Sequence, residues 1–403
     1  MPEKRIVLKN CEVIDPRRID TYLEQDGFKA WEKALTMTPE QVIAEVKASG
    51  LRGRGGAGFP CGVKWEGVRG AHGLEKFVVC NADEGEVGTF KDRYILQNDP
   101  FSLLEGIAIA AYAVGAKRAF IYLRGEYRFL IASLRDAIRQ AGSKGLLSHT
   151  DIEVREGSGA YICGEEMALM ESIEGKRGEL RYKPPFPTVQ GLWQQPTTIN
   201  NVETLMNVPQ IILNGSAWFN QFGTERSKGT KVLSVAGDVA KPGVYEMVMG
   251  SPLKELLVDL AGARNIKLVQ IGGATGRIIP ASMLDTPLSF EGMLSAGPIT
   301  VFDESRDVID IVHRTMEFLA EESCGKCSPC REGTGVMVNI LEGFSKGRAT
   351  EKDIKIMEEL SSTMMLCSLC GLGQAAPNSV VDSLKYFRPA YEERIQKTEV
   401  VKK

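Results

Sequence analysis

The hydrophobic pattern along this chain switches between two periods. Phe77-Val-Val-Cys80, Ala119-Phe-Ile-Tyr-Leu123 and Ile152-Glu-Val154 are short runs that predict strands. Helical stretches are expected at 103–114 and around 127–139, between those runs. Strands alternating with helices predict an α/β domain with a largely parallel sheet. Upstream, Thr38-Pro-Glu-Gln41 reads as a helix start: Thr38 caps, Pro39 suits the first helical position and Gln41 closes a capping box. Val42, Ile43 and Val46 turn inward before a stop at Gly50. Lys183-Pro-Pro-Phe-Pro187 is expected to be rigid and extended, because each proline fixes its own φ and biases the residue before it.

From Thr230 the texture changes. Lys231-Val-Leu-Ser-Val-Ala236 is a strand, and short strands and glycines continue to about Thr300, predicting a small α+β insert of about 70 residues. From Arg306 the pattern is helical, with Val308, Ile311, Val312, Met316 and Leu319 at three- and four-residue spacing. Further helices are expected at 335–344 and 351–365, the second capped by Thr350 with Asp353 three residues on. The charged tail 395–403 is expected to fray. These shifts divide the chain at 1–50, 51–228, 229–303 and 304–403.

Composition adds limits. The 403 residues are long enough to bury a full core without disulfides. Lys+Arg 49 against Asp+Glu 52 gives a net charge of −3, which argues against a nucleic-acid binder. The longest apolar run, 107–116, is interrupted by Tyr112 and Gly115 and falls short of the ~20 residues that span a bilayer. The charged N-terminus has no apolar stretch behind it. No membrane insertion and a cytoplasmic location are expected.

Five of the nine cysteines, Cys324, Cys327, Cys330, Cys367 and Cys370, crowd the C-terminal region. In a cytosolic chain such crowding reads as metal ligation. Cys324-Gly-Lys-Cys327-Ser-Pro-Cys330 lets one loop supply three corners of a [4Fe–4S] cluster, a distant thiolate completing it. Cys367 and Cys370 are both candidates for that corner. Two CxxC pairs also suit tetrahedral zinc, although zinc leaves Cys324 without a role. Lys326 and Arg331 flank the cluster and are placed to offset thiolate charge.

Gly53-x-Gly55-x-x-Gly58 matches the dinucleotide fingerprint in form, but it follows a helix instead of a strand. An ordinary Rossmann turn is therefore not expected; a phosphate cradle with Arg52 and Arg54 is. Asn81, Asp83, Glu84 and Glu86 lie just past a strand's carboxyl end, where open α/β sheets bind ligands, though a solvated acidic turn explains them equally. Glu165 and Glu166 follow a second glycine-rich turn, where they suit a helix N-terminus or face a cofactor. Cys61, Cys80 and Cys163 read as small buried hydrophobes. Trp65 and Phe186 read as core residues or stacking platforms, and His72, His149 and His313 show no partner pattern.

Several blocks in order resemble one family: Arg52-Gly-Arg-Gly-Gly-Ala-Gly-Phe-Pro60, Cys80-Asn-Ala-Asp-Glu-Gly-Glu86, Gly159-Ala-Tyr-Ile-Cys-Gly-Glu-Glu166, Pro184-Pro-Phe-Pro187, Asn200-Asn-Val-Glu-Thr204 and Ser323-Cys-Gly-Lys-Cys-Ser-Pro-Cys-Arg331. The family is the NADH-oxidising FMN/[4Fe–4S] flavoprotein subunit of respiratory complex I and of soluble NAD-linked hydrogenases, some electron-bifurcating, and formate dehydrogenases.

The resemblance implies an atypical Rossmann-like FMN- and NADH-binding domain at 51–228 behind a helical lead-in at 1–50. It implies a β-grasp-like domain at 229–303 and a four-helix bundle with the cluster at 304–403. FMN would be held by Gly53, Arg54, Gly55, Gly56, Lys64, Asn81, Asp83, Gly164, Asn200, Asn201 and Thr204. NADH would meet Phe59, Glu84, Glu86, Tyr161, Glu165, Glu166, Lys183 and Phe186, with Glu84 and Glu86 closest to the chemistry. Cys324, Cys327, Cys330 and Cys370 would bind the cluster; Cys370 is preferred because the family's fourth cysteine precedes a Leu-Gly pair, here in Cys370-Gly-Leu-Gly373.

The chain departs from the family at Gly67, where an aromatic is frequent, and at Cys61, where threonine is usual. It is also expected to lack the thioredoxin-like and ferredoxin domains of longer relatives. The implied reaction passes a hydride between NAD(H) and FMN, then single electrons through the cluster. The implied partners are a thioredoxin-like [2Fe–2S] subunit and a larger iron–sulfur or catalytic subunit. Cys367-Ser-Leu-Cys-Gly-Leu-Gly-Gln-Ala-Ala-Pro-Asn378 looks more like the hydrogenase type than the complex I type.

Overall fold

The computed structural model describes residues 3–293 and 296–396. Its first sheet has four strands, β1 (Phe77–Ala82), β2 (Arg118–Leu123), β3 (Asp151–Glu156) and β4 (Thr197–Asn201), all parallel, in the order β3-β2-β1-β4. The chain builds outward from β1 through β2 to β3, then returns to add β4 on the other side of β1. That reversal opens a crevice at the carboxyl ends of β1 and β4. β4 is absent from the expected strands because Thr197-Thr-Ile-Asn-Asn201 carries no apolar run, yet its first four residues are buried.

The pleat sends alternate residues of β1 to two different cores. Val78 and Cys80 join the helix Pro100–Val114; Phe77 and Val79 join the core shared with the C-terminal helices. The Pro100–Val114 helix starts where the Asp99 side chain accepts from the Ser102 N–H, with Pro100 in the first turn, and stops at Gly115 in the left-handed region. Only Tyr112 of its residues is not fully buried, so the longest apolar run is a core helix. Among the described residues no helix is long and apolar enough to cross a membrane.

Glu105 on this helix accepts from the Phe28 and Trp31 N–H groups at 3.0 and 2.9 Å and from the Tyr22 hydroxyl, which ties the N-terminal helices to the core.

A second sheet follows: β5 (Thr230–Gly237), β6 (Gly243–Val248), β7 (Ile266–Ile271), β8 (Arg277–Pro280) and β9 (Pro298–Asp303), in the order β6-β5-β9-β7-β8. β5 and β9 are parallel and the other pairs antiparallel. Leu233, Val235, Leu256, Val269, Ile299 and Val301 belong to its own core.

The C-terminal region is helical, led by Val308–Glu321, Ser328–Ser345 and Glu351–Cys367, the last opening on the expected Thr350/Asp353 capping box. Ile309, Val312, Met316, Met337, Leu341 and Met364 knit these helices together. The fold is thus mixed α/β with a parallel sheet and a helical C-terminal region.

The proline segment is not extended: it bends at residues 183–185, and the Lys183–Pro184 and Pro184–Pro185 peptides are cis. The charged tail is anchored at its start, where the Gln396 N–H donates to the Ala349 carbonyl at 2.8 Å. The rest of that tail lies outside the described residues.

Candidate functional site

A cavity of about 450 Å³ lies at the crevice beyond β1 and β4, within the size range of small-ligand sites. Gly55, Gly56, Asn81, Asp83, Glu84, Glu86, Tyr161, Gly164, Glu165 and Asn201 line it, as do Thr89, Lys91, Asp92, Thr275, Gly371, Leu372 and Ala375. Sequence reasoning missed this second group. Lys91 and Asp92 carry a readable signal, two charges opening a helix soon after a strand end; Thr275 carries none.

The glycine loop sits between the helices Pro39–Ala48 and Cys61–Gly70, so it is not a strand-to-helix turn. Its ends pinch together where the Gly53 N–H donates to the Phe59 carbonyl at 2.9 Å. Gly55 presses on the cavity wall: a Cβ there would stand 2.9 Å from the Asn201 Cβ. Thr204 braces the loop by accepting from the Arg54 N–H at 2.8 Å. The Arg54 side chain runs behind the loop to the Lys228 carbonyl at 2.5 Å; burial lowers its pKa to about 10. Gly53, Arg54 and Thr204 therefore shape the loop from outside the cavity lining.

Past β1, each acidic side chain has a distinct environment. Asn81 donates to the Gly164 carbonyl at 2.8 Å and accepts from the Asp83 N–H at 3.0 Å, joining the two glycine-rich turns. Asp83 is buried on the cavity wall with Oδ2 lacking a partner, and burial raises its carboxyl to about 7. Glu84 is consumed structurally. It accepts from the Asp92 and Arg93 N–H groups at 2.8 and 3.0 Å, capping the helix Lys91–Asn98, and from the Tyr127 hydroxyl at 3.0 Å. Glu86 accepts from the Tyr161 hydroxyl at 2.8 Å, the Thr275 hydroxyl at 2.7 Å and the Ala274 N–H at 2.7 Å; burial pushes its carboxyl up.

The cavity leads to a polar rim. Glu165 caps the helix Glu166–Ile173 through the Met167 and Ala168 N–H groups, and it also lines the cavity, so both of its expected roles coexist. Lys183 donates to Glu165 and Glu166 at 3.1 and 2.9 Å, and Lys64 to the Ile199 carbonyl at 3.0 Å. Phe59 and Phe186 are exposed, with the Lys64 ammonium 6.0 Å from the Phe59 ring centroid. Trp65 is a core residue, fully buried and donating to Asn200 Oδ1 at 2.9 Å. The pleat turns the Asn200 side chain away from the cavity and the Asn201 side chain into its wall.

The helix Ser328–Ser345 begins on Cys327, so Cys330 falls in its first turn. Burial, with Cys327, Cys370 and Cys324 nearby, raises the Cys330 thiol to about 11. Four thiols gathered in this way are a donor set of the kind that holds a [4Fe–4S] cluster. The Leu372 and Gly373 N–H groups point at the Cys370 sulfur, whereas Cys367 is exposed at the end of its helix. Among the described residues no three His, Cys, Asp or Glu side chains converge on a single-ion site; a four-iron cluster needs its thiolates spread around a larger body. Lys326 is occupied with Glu179 and the Leu180 carbonyl, and Arg331 with the Gly325 carbonyl.

The cavity also fits FMN: Asp83 offers an unpartnered buried oxygen, and the loop approaches with no Cβ at Gly55 or Gly56.

Residues 46–210 match the Nuo51 FMN-binding domain, and residues 310–394 match the iron–sulfur binding region of NADH-ubiquinone oxidoreductase-F. The chain is 42% identical to HndC, a subunit of the NADP-reducing hydrogenase of Solidesulfovibrio fructosivorans, over 97% of this chain and 83% of that one. It is also 42% identical to the F 2 subunit of the NADH-quinone oxidoreductase of Rhizobium meliloti, over 97% of each. A crystal structure of an NAD+-reducing [NiFe]-hydrogenase in the H2-reduced state superposes with a TM-score of 0.90 at 39% identity, covering 98% of this chain and 68% of that chain. The iron–sulfur match decides against the zinc-stapled scaffold. With both regions matched in order and relatives aligned along nearly its whole length, the chain belongs to the family of FMN- and [4Fe–4S]-binding NADH dehydrogenase subunits.

Proposed function

We propose that this chain is the NADH-oxidising subunit of a soluble multisubunit complex of the NAD-linked hydrogenase type, working in the cytoplasm. One observation carries the reading: the wall of the β1–β4 cavity includes Gly371, Leu372 and Ala375, all within five residues of the cluster cysteine Cys370. Bound FMN exchanges electrons in pairs with NAD(H) and singly with an iron–sulfur cluster, so a nucleotide pocket and a thiol set belong side by side.

The protein's part is position and electrostatics. Gly55, Gly56, Asn81, Asp83, Gly164 and Asn201 hold FMN; Gly53, Arg54, Lys64, Asn200 and Thr204 brace that cradle from behind. Glu86, Tyr161, Glu165, Glu166 and Lys183 orient NADH, and Phe59 and Phe186 stack on it. Glu84 serves by fixing the turn. Cys324, Cys327, Cys330 and Cys370 hold the cluster. In this reading residues 51–228 form a Rossmann-like FMN/NADH domain, 229–303 a β-grasp-like domain and 304–403 a four-helix bundle.

A thioredoxin-like [2Fe–2S] subunit and a larger iron–sulfur subunit take up the electrons. Leu366 and Leu369, exposed beside Cys370, offer them an apolar edge.

Anaerobic addition of NADH to the purified chain tests the reading. Bleaching of the flavin band together with a reduced-cluster EPR signal is the expected result; a flavin that NADH leaves oxidised overturns it. The near-complete mutual coverage with the Rhizobium protein favours a second reading, the NADH-oxidising subunit of membrane-bound complex I. Co-purification with membranes instead of cytosolic subunits separates the two.

A further inference from the structure

The unit built on the second sheet reaches the cavity at few points, and one of them is the turn Gly273–Thr275. This turn is pressed onto Glu86. Gly273 has φ +70, and a Cβ there would stand 2.5 Å from the Glu86 Cγ. The Ala274 N–H donates to Glu86 Oε1 and the Thr275 hydroxyl to Oε2, both at 2.7 Å. From the first unit Glu86 receives the Tyr161 hydroxyl at 2.8 Å and the adjacent Val87 N–H at 3.3 Å. Half of the donors on this carboxylate, including both shortest ones, thus come from another part of the fold. The turn is itself held from the C-terminal helices, where Asn378 Nδ2 donates to the Thr275 carbonyl at 2.9 Å.

We propose that Thr275 is a positioning residue for NADH oxidation: its hydroxyl, with the Ala274 N–H, fixes the Glu86 carboxylate in the direction that receives the nucleotide. The inference rests on Glu86 facing NADH, as proposed above. A buried carboxylate that loses a charge-assisted donor must either tilt toward another or stay unsatisfied. Threonine and valine have nearly the same shape, so Thr275→Val removes the donor without opening space.

The test uses the FMN- and cluster-loaded protein. Thr275→Val is expected to raise KM for NADH about tenfold, the loss typical of one hydrogen bond to a charged group, with kcat within about twofold. NAD+ affinity, followed by the perturbation of the flavin absorption band, falls by the same factor. Thr275→Ser restores both, and FMN and iron per chain stay at the wild-type level in both variants. Glu86→Gln raises KM similarly, and adding Thr275→Val to it causes no further loss.

The proposal is overturned if Thr275→Val leaves KM and NAD+ affinity unchanged while Glu86→Gln impairs them. It is equally overturned if the two losses multiply, or if Thr275→Val loses FMN and Thr275→Ser does not recover it. Should Glu86→Gln itself leave KM and NAD+ affinity unchanged, the nucleotide-facing reading of Glu86 falls first, whatever Thr275 does.

Discussion

Lys231 on β5 and Glu203 at the start of the helix Val202–Asn214 form an ion pair at 2.5 Å, with side chains 1% and 0% exposed. Lys91 reaches the same Glu203 oxygen at 3.0 Å and touches Asn201 on the cavity wall at 3.3 Å. The two ammonium groups hold the Glu203 carboxyl below the ordinary carboxylate range despite its burial. Removing one member of a buried pair costs about 3–5 kcal/mol when it strands a charge. Glu203→Ala strands the Lys231 ammonium, while Lys91 keeps Asp92 at 2.7 Å, and is expected to lose about 4 kcal/mol of unfolding free energy, at the middle of that range. Lys231→Met leaves Glu203 paired with Lys91 and should lose less than half as much. Denaturant unfolding of the two variants checks the order.

A pH dependence follows from Asp83. Burial raises its folded-state carboxyl to about 7, against about 3.9 in an unfolded chain. The folded state therefore binds more protons between those values. The stabilising contribution is full below about pH 4 and is lost as pH rises through about 7. Protein stripped of FMN should lose apparent Tm from pH 5 to 8. Asp83→Asn should flatten that slope by up to about 1.4 kcal/mol per pH unit, one proton's share. Thermal melts across this range measure it.

The two cysteines of the last CxxC pair should behave differently. Cys370 lies among the other thiols with two backbone N–H groups aimed at its sulfur, while Cys367 faces solvent. Cys370→Ser is expected to abolish or strongly weaken the reduced-cluster EPR signal and lower the iron content. Cys367→Ser should retain both. Equal loss in the two variants would remove Cys370 from its assigned corner.

Gly55→Ala tests the cradle. Its new methyl group would stand 2.9 Å from the Asn201 Cβ, closer than packed carbons tolerate. Either the loop or Asn201, whose side chain accepts from the Glu203 N–H at the start of the helix Val202–Asn214, must shift, and both line the cavity. FMN affinity should fall at least tenfold, about 1.4 kcal/mol, with little change in the far-UV circular dichroism spectrum. Fluorescence titration of FMN into the stripped protein reads the affinity.

Much of this architecture is legible in local sequence. Strands β1, β2 and β5 announce themselves as apolar runs, β3 as an apolar–polar alternation, and Thr38 and Thr350 as capping boxes, because burial and capping leave marks within a few residues. β4 is not legible: it earns its place through long-range pairing with β1 and hides its threonines inside the sheet. The cavity is half legible. The glycine loop, acidic turn and second glycine turn are contiguous motifs, but which side chain faces inward depends on the pleat. Asn200 and Asn201 are adjacent and point to opposite sides. Glu84 and Glu86 look equivalent in the sequence, yet one caps a helix while the other meets the Gly273–Thr275 turn. Thr275 lies nearly two hundred residues from Glu86, so no local signal connects them.

The reversal that places β4 beside β1 also sets when the site can come into being. Residues paired across that seam, such as Val79 and Ile199, are about 120 positions apart, the kind of distant pairing that slows folding. The cavity wall is then drawn from Gly55 through to Ala375. During synthesis the glycine loop and the acidic turn therefore emerge long before the surfaces that enclose them. The cavity wall is complete only once the C-terminal helices have left the ribosome. A chain halted before those helices would have the cradle motifs but no closed cavity.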